Sequence, residues 1–112
     1  MEKYSFVVKS NNSVIIDLII EDLENIDVND DKYIIKFDEK GITFIKENVE
    51  TSFRLIYECN TYNALLTLKE TNHTMNIPIE NIDYNMARDG FVLTYKLESQ
   101  EYPLEISLKM CK

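Results

Sequence analysis

Seven stretches of the chain carry apolar or aromatic residues at every second position, and this period constrains the fold more than any other feature. Tyr4, Phe6 and Val8 alternate, as do Tyr33, Ile35 and Phe37, then Ile42 with Phe44. Phe53, Leu55 and Tyr57 follow, then Ala64, Leu66 and Leu68. Phe91, Leu93, Tyr95 and Leu97 make one long set near the end, and Leu104, Ile106, Leu108 and Met110 make the last. Successive side chains of a strand point to opposite faces, so each set predicts a strand with one buried face. Between the sets lie short polar segments: "SNNS" at 10–13, "VNDD" at 28–31, "DEKG" at 38–41, "CNTYN" at 59–63, "ETNHT" at 70–74 and "RDG" at 88–90. These are turn chemistry, with Asp89-Gly90 the strongest hairpin signal. Asn48 and Asn63 are the expected positive-φ positions.

Two stretches read less simply. In "IIEDLENI" (19–26), Ile19, Leu23 and Ile26 have helical spacing and predict one short helical turn. In "MNIPIENIDYNM", the parity of the apolar positions changes between Ile79 and Ile82. That predicts a bulge or break, with Pro78 at an edge or irregular position. The 112 residues form one predicted domain, 1–112: an all-β, antiparallel, meandering barrel of about eight short strands, incomplete if one hairpin is trimmed.

Charge excludes several function classes. The formal net charge is -8, which opposes nucleic acid and anionic membrane partners. Nine acids against Lys32 and Lys36 crowd the stretch 17–39. No signal-like h-region opens the sequence, and "VIIDLII" is too short to cross a bilayer, so a cytoplasmic location is expected. Cys59 and Cys111 are then reduced thiols, read as small buried or half-buried apolar residues.

The segment "DVNDDKYIIKFD" (27–38) places Asp27, Asn29, Asp31 and Asp38 at calcium-loop positions. Lys32 stands where that loop needs glycine, and the exit is a strand, so the reading is a hairpin approach and no metal site. His73, the only histidine, lies in a turn without a nucleophile beside it. Two glycines are too few for a phosphate loop. No catalytic residue and no cofactor is assigned, and the protein is read as a non-enzyme.

"GITFIKENVETSFRLIYE", "TYNALLTLKET" and "GFVLTYKLESQEYPLEISLKM" together resemble the YwiB-like family of small bacterial proteins of unknown function. The similarity spans residues 31–112 and implies a calycin-like, lipocalin-type barrel. Lys46 and Asn48 depart from an Arg and a Gly of the family, and Tyr62-Asn63 from a Tyr-Gly turn. The family brings no established activity.

The leading expectation is a barrel that holds a small apolar ligand, with Asp17, Arg54, Tyr57 and Tyr95 as candidate ligand-binding residues. Asp17 and Arg54 would orient a polar ligand group if they faced a lumen; the competing expectation puts both on the outer, wet face. The expected inward set is Phe6, Val8, Phe53, Leu55, Tyr57, Leu66, Leu68, Leu93 and Tyr95, large enough to leave only a shallow pocket at one mouth. The alternative is a protein-interaction module that uses its acidic 17–39 face or an open barrel edge.

Overall fold

The computed structural model describes residues 2–111, and eleven strands account for most of them. They are β1 (Lys3–Ser10), β2 (Ser13–Ile20), β3 (Ile26–Val28), β4 (Asp31–Asp38), β5 (Gly41–Glu47) and β6 (Thr51–Glu58), then β7 (Thr61–Leu68), β8 (His73–Asn76), β9 (Ile79–Ala87), β10 (Gly90–Leu97) and β11 (Leu104–Cys111). All ladders are antiparallel. The all-β expectation holds. The strands form two sheets, ordered β2-β1-β11-β10-β9 and β3-β4-β5-β6-β7-β8, and neither closes on itself into a barrel. No helix is present among the described residues, and so none long and apolar enough to cross a membrane.

The chain divides into two compact units that follow the sheets. One takes the residues up to Glu21 and from Ile79 onward, the other Asp22–Pro78. In the first, β1 lies against β11 with Phe6 opposite Leu108 and Val8 opposite Ile106. β10 then sets Phe91 beside Leu108 and Leu93 beside Ile106. These residues share one face and are almost wholly removed from solvent. In the second unit, Tyr33, Ile35, Ile42, Phe44, Leu55 and Ala64 form the buried face, and Tyr33 and Phe44 pack with ring centroids 5.7 Å apart. Burial holds the Tyr33 phenol above its ordinary pKa, and the neighbouring Asp31 carboxylate pushes the same way.

Most of the expected inward set is confirmed on these faces. Phe6, Val8, Leu55, Leu93 and Tyr95 are buried, and Phe53, Tyr57 and Leu66 half-buried; Leu68 is exposed, near the end of its strand. The expected helical turn is absent. Ile19 and Ile20 continue β2, and residues 21–25 make an irregular turn in which Asn25 N–H donates to Asp22 O at 3.4 Å. Ile26 instead opens the three-residue β3, whose brevity hid it from a period-two reading. The parity change after Pro78 is real. Lys96 pairs with Asn81 but Leu97 with Ile79, so Glu80 is a bulge, and its carboxylate meets the Lys96 ammonium.

Positive φ falls elsewhere than at Asn48 and Asn63. Asn11 and Asn12 (50° and 66°) and Cys59 and Asn60 (50° and 66°) form two-residue hairpin turns of the type that needs φ > 0 at both centres. Asn63 lies within β7, while Asn48 Oδ1 accepts the Glu50 and Thr51 N–H groups and so closes the β5–β6 loop. Gly41 and Gly90 serve close approach rather than positive φ. A Cβ on Gly41 would lie 1.9 Å from the Tyr57 carbonyl oxygen, and one on Gly90 1.7 Å from that of Leu108.

Candidate functional site

The calcium-loop residues are dispersed by the strand they sit on. Asp31 and Asp38 stand at opposite ends of β4, about 23 Å apart at the rise of an extended chain. Asp31 accepts from Asn48 Nδ2 at 3.3 Å and faces Lys46 Nζ at 3.8 Å. Asp38 Oδ1 accepts the N–H groups of Lys40 (2.8 Å) and Gly41 (3.1 Å), which fixes the β4–β5 turn. The hairpin reading of this stretch is therefore the observed one. Among the described residues, no three His, Cys, Asp or Glu side chains gather as a metal cluster would require. His73 opens β8 and is exposed. Cys59 and Cys111 are free and exposed, not buried, and Cys59 occupies a turn tip.

The four candidate ligand residues do not converge. Asp17 and Tyr95 belong to one unit and lie on opposite faces of its sheet: Tyr95 is 3% exposed, while Asp17 pairs with Val7 on the outward side. Arg54 and Tyr57 belong to the other unit and are likewise on opposite faces of β6, Arg54 exposed and Tyr57 half-buried. Asp17 and Arg54 thus take the wet-face placement rather than the lumen one. The acids of 17–39 are also scattered. Asp17 lies in one unit, whereas Glu24 in the other meets Lys36 at 3.6 Å and Asp31 meets Lys46.

Tyr57 does border a hollow. At the Gly41 end of β4, β5 and β6, a depression of about 210 Å³ is lined by Phe37, Ile42, Ile56 and Tyr57, with Lys36, Asp38, Thr43 and Glu58 adding polar groups. Asp38, Gly41 and Glu58 are cross-strand neighbours at its edge, where the glycine lets the Tyr57 carbonyl approach closely. The Tyr57 hydroxyl donates to Asn60 Oδ1 at 3.0 Å. Sequence reasoning expected a shallow pocket with Arg54 or Asp17 as its polar partner. The polar groups actually present are Lys36, Thr43 and two carboxylates; their signal was the register across Gly41, which alternation alone does not reveal.

The second feature is a cross-strand row on the outward face of the same sheet. Ile34 pairs with Ile45, Ile45 with Arg54 and Arg54 with Leu65, so an exposed guanidinium stands in a line of half-buried aliphatic side chains. Among the described residues, Arg54 has no hydrogen-bond or ion-pair partner.

These features define an all-β protein of two antiparallel sheets with open surface sites. No protein-family model, curated protein or solved structure matches the chain.

Proposed function

We propose that the chain is a non-enzymatic, cytoplasmic, calycin-like binding protein of the YwiB-like kind, and that it takes a small, largely apolar ligand in the hollow beside Gly41. The hollow carries this reading: on the outward face Ile56 gives it an apolar side chain and Lys36 and Thr43 offer a cation and a hydroxyl that would orient a carboxylate or similar head, while Phe37, Ile42 and Tyr57 border it from strand positions whose side chains take the other face. Its volume is below the roughly 300–1,000 Å³ of sites for drug-sized molecules. The ligand is therefore a short metabolite or the end of a longer chain. The calycin-like arrangement is supported by strand order: β3 to β8 pair strictly in sequence, as do β9 to β11, and β11 then pairs with β1, as in up-and-down barrels.

Thermal-shift titration with short- and medium-chain fatty acids tests the reading. A saturating rise in Tm is expected for the native chain, and its loss in Thr43→Trp, which fills the hollow from the wet face without touching the buried one. No saturable shift with any acid, or an equal shift in Thr43→Trp, would remove the carrier function.

A further inference from the structure

The first unit presents a counterpart to the Arg54 row. β2 is an edge strand, and its outward residues are Ile15 (58% exposed), Asp17 and Ile19 (62% exposed). The exposure has a local cause. Val8 pairs with Ile16 but Lys9 with Val14, so Ile15 is the extra residue of a bulge, and both Val14 and Ile15 stand in solvent. Beside Asp17 on the same face lies Val7. Like Arg54, Asp17 has no hydrogen-bond or ion-pair partner among the described residues.

We infer that these two surfaces bind each other between copies of the chain: the outward face of β2 on one copy docks on the Ile34–Ile45–Arg54–Leu65 row of another, with Asp17 against Arg54. Both surfaces have the order apolar, ion, apolar, and the ions are of opposite sign. On β2 the order runs along the strand, at about 7 Å between Ile15, Asp17 and Ile19; on the other sheet it runs across strands, at about 5 Å between Ile45, Arg54 and Leu65. The two match when β2 crosses the strands of the receiving sheet at a steep angle, as in orthogonal sheet packing. A carboxylate–guanidinium pair closed off by aliphatic neighbours has the make-up of an interface centre, in which a desolvated Arg is ringed by apolar contacts that keep water out.

Charge also selects this partner. A chain with a net charge of -8 repels its own copies over most of its surface, so self-association needs a place where a cation meets an acid. Four strands by eight residues span about 500 Å² per copy, the low end for specific interfaces, so the association is weak and reversible. The contact joins two different surfaces, and such contacts build rings or open chains, or serve twice in a two-fold pair. The Arg54 row adjoins the Lys36–Thr43–Ile56 row beside the hollow on the same face, so a docked copy would cover the hollow; Asp17, in the other unit, is the position whose substitution tests self-association alone.

Sedimentation velocity from micromolar to millimolar protein tests it. The native chain should form species larger than the monomer as concentration rises, less so at high salt. Asp17→Lys and Arg54→Glu should each weaken self-association at least about tenfold, the effect of losing one interfacial ion pair. An equimolar mixture of the two variants should associate again, since the lysine introduced in one would then face the glutamate introduced in the other. The chain carrying both changes should associate for the same reason. Circular dichroism and melting of each variant would confirm that these exposed substitutions leave the fold intact. A native chain that stays monomeric throughout would overturn the inference and leave Asp17 as a charge that guards a sheet edge. So would variants that fail to recover on mixing and in the doubly changed chain.

Discussion

The β4–β5–β6 meander of one unit and the β9–β10–β11 meander of the other both open their central strand on a glycine packed against the carbonyl of the third strand. Beyond that point they differ. Phe91, Leu93, Tyr95 and Leu97 take the buried face of β10, and of the alternate residues Thr94 and Lys96 are polar and Val92 alone is a large apolar side chain. In the other meander the buried face is filled by Ile35, Ile42, Phe44 and Leu55, yet Ile34, Ile45 and Ile56 add apolar surface to the opposite side. The first meander is apolar mainly on one face, with Val92 the single large apolar residue of β10 on the other. The second keeps apolar area at its surface, which a stable fold does not need and a binding surface does.

Replacing either glycine should give the largest effects. Gly90→Ala and Gly41→Ala each force a Cβ into a backbone carbonyl, and each should cost about 3 kcal/mol or more in urea unfolding. Equal losses would confirm that the two turns share one constraint; a neutral Gly41→Ala would show that β6 can give way. Truncation of core residues separates the sheets next. Leu93→Ala, at a fully buried position, should cost about 3–4 kcal/mol, while Leu66→Ala on the half-buried β7 should cost about 1–2 kcal/mol. A reversed order would mean that β7 is better packed than its exposure implies.

The smallest effect concerns pH. The Tyr33 phenol is raised above its ordinary value of 10.0, so above that pH the unfolded chain loses a proton that the folded chain keeps. The stability Tyr33 contributes is complete below pH 10 and is lost as pH rises through the folded value. Tyr33→Phe should flatten the alkaline limb of a stability-against-pH curve and leave neutral pH little changed. An unchanged limb would assign the loss to other groups.

Alternation revealed which residues face together, and it did so from Phe6 in β1 to Leu108 in β11. It could not reveal which strands are neighbours, because period two encodes a face and not a partner. The division into two sheets and the pairing of β1 with β11 were therefore invisible. β3 was missed because three residues are too few to show a period, and the spacing of Ile19, Leu23 and Ile26 imitated a helix. Asp89-Gly90 did mark a hairpin, but Ala87 pairs with Gly90, so Arg88 and Asp89 form the turn and the glycine begins the strand. Asp17 and Arg54 stood out in the sequence as charges among apolar neighbours. Their surroundings across the strands, which give them a use, came only with the register.

The pairing of β1 with β11 also orders events in time. Every ladder of the β3–β8 sheet joins strands adjacent in sequence, so each hairpin can close as soon as its own residues exist. Lys3, by contrast, must wait for Cys111, and Phe6 for Leu108. During synthesis β1 has only β2 beside it while the whole second sheet emerges, and its apolar face stays uncovered on that side until the last strand arrives. The interval before β11 is released is thus when the nascent chain is most open to mispairing, and a chaperone that holds extended apolar strands would find its substrate there.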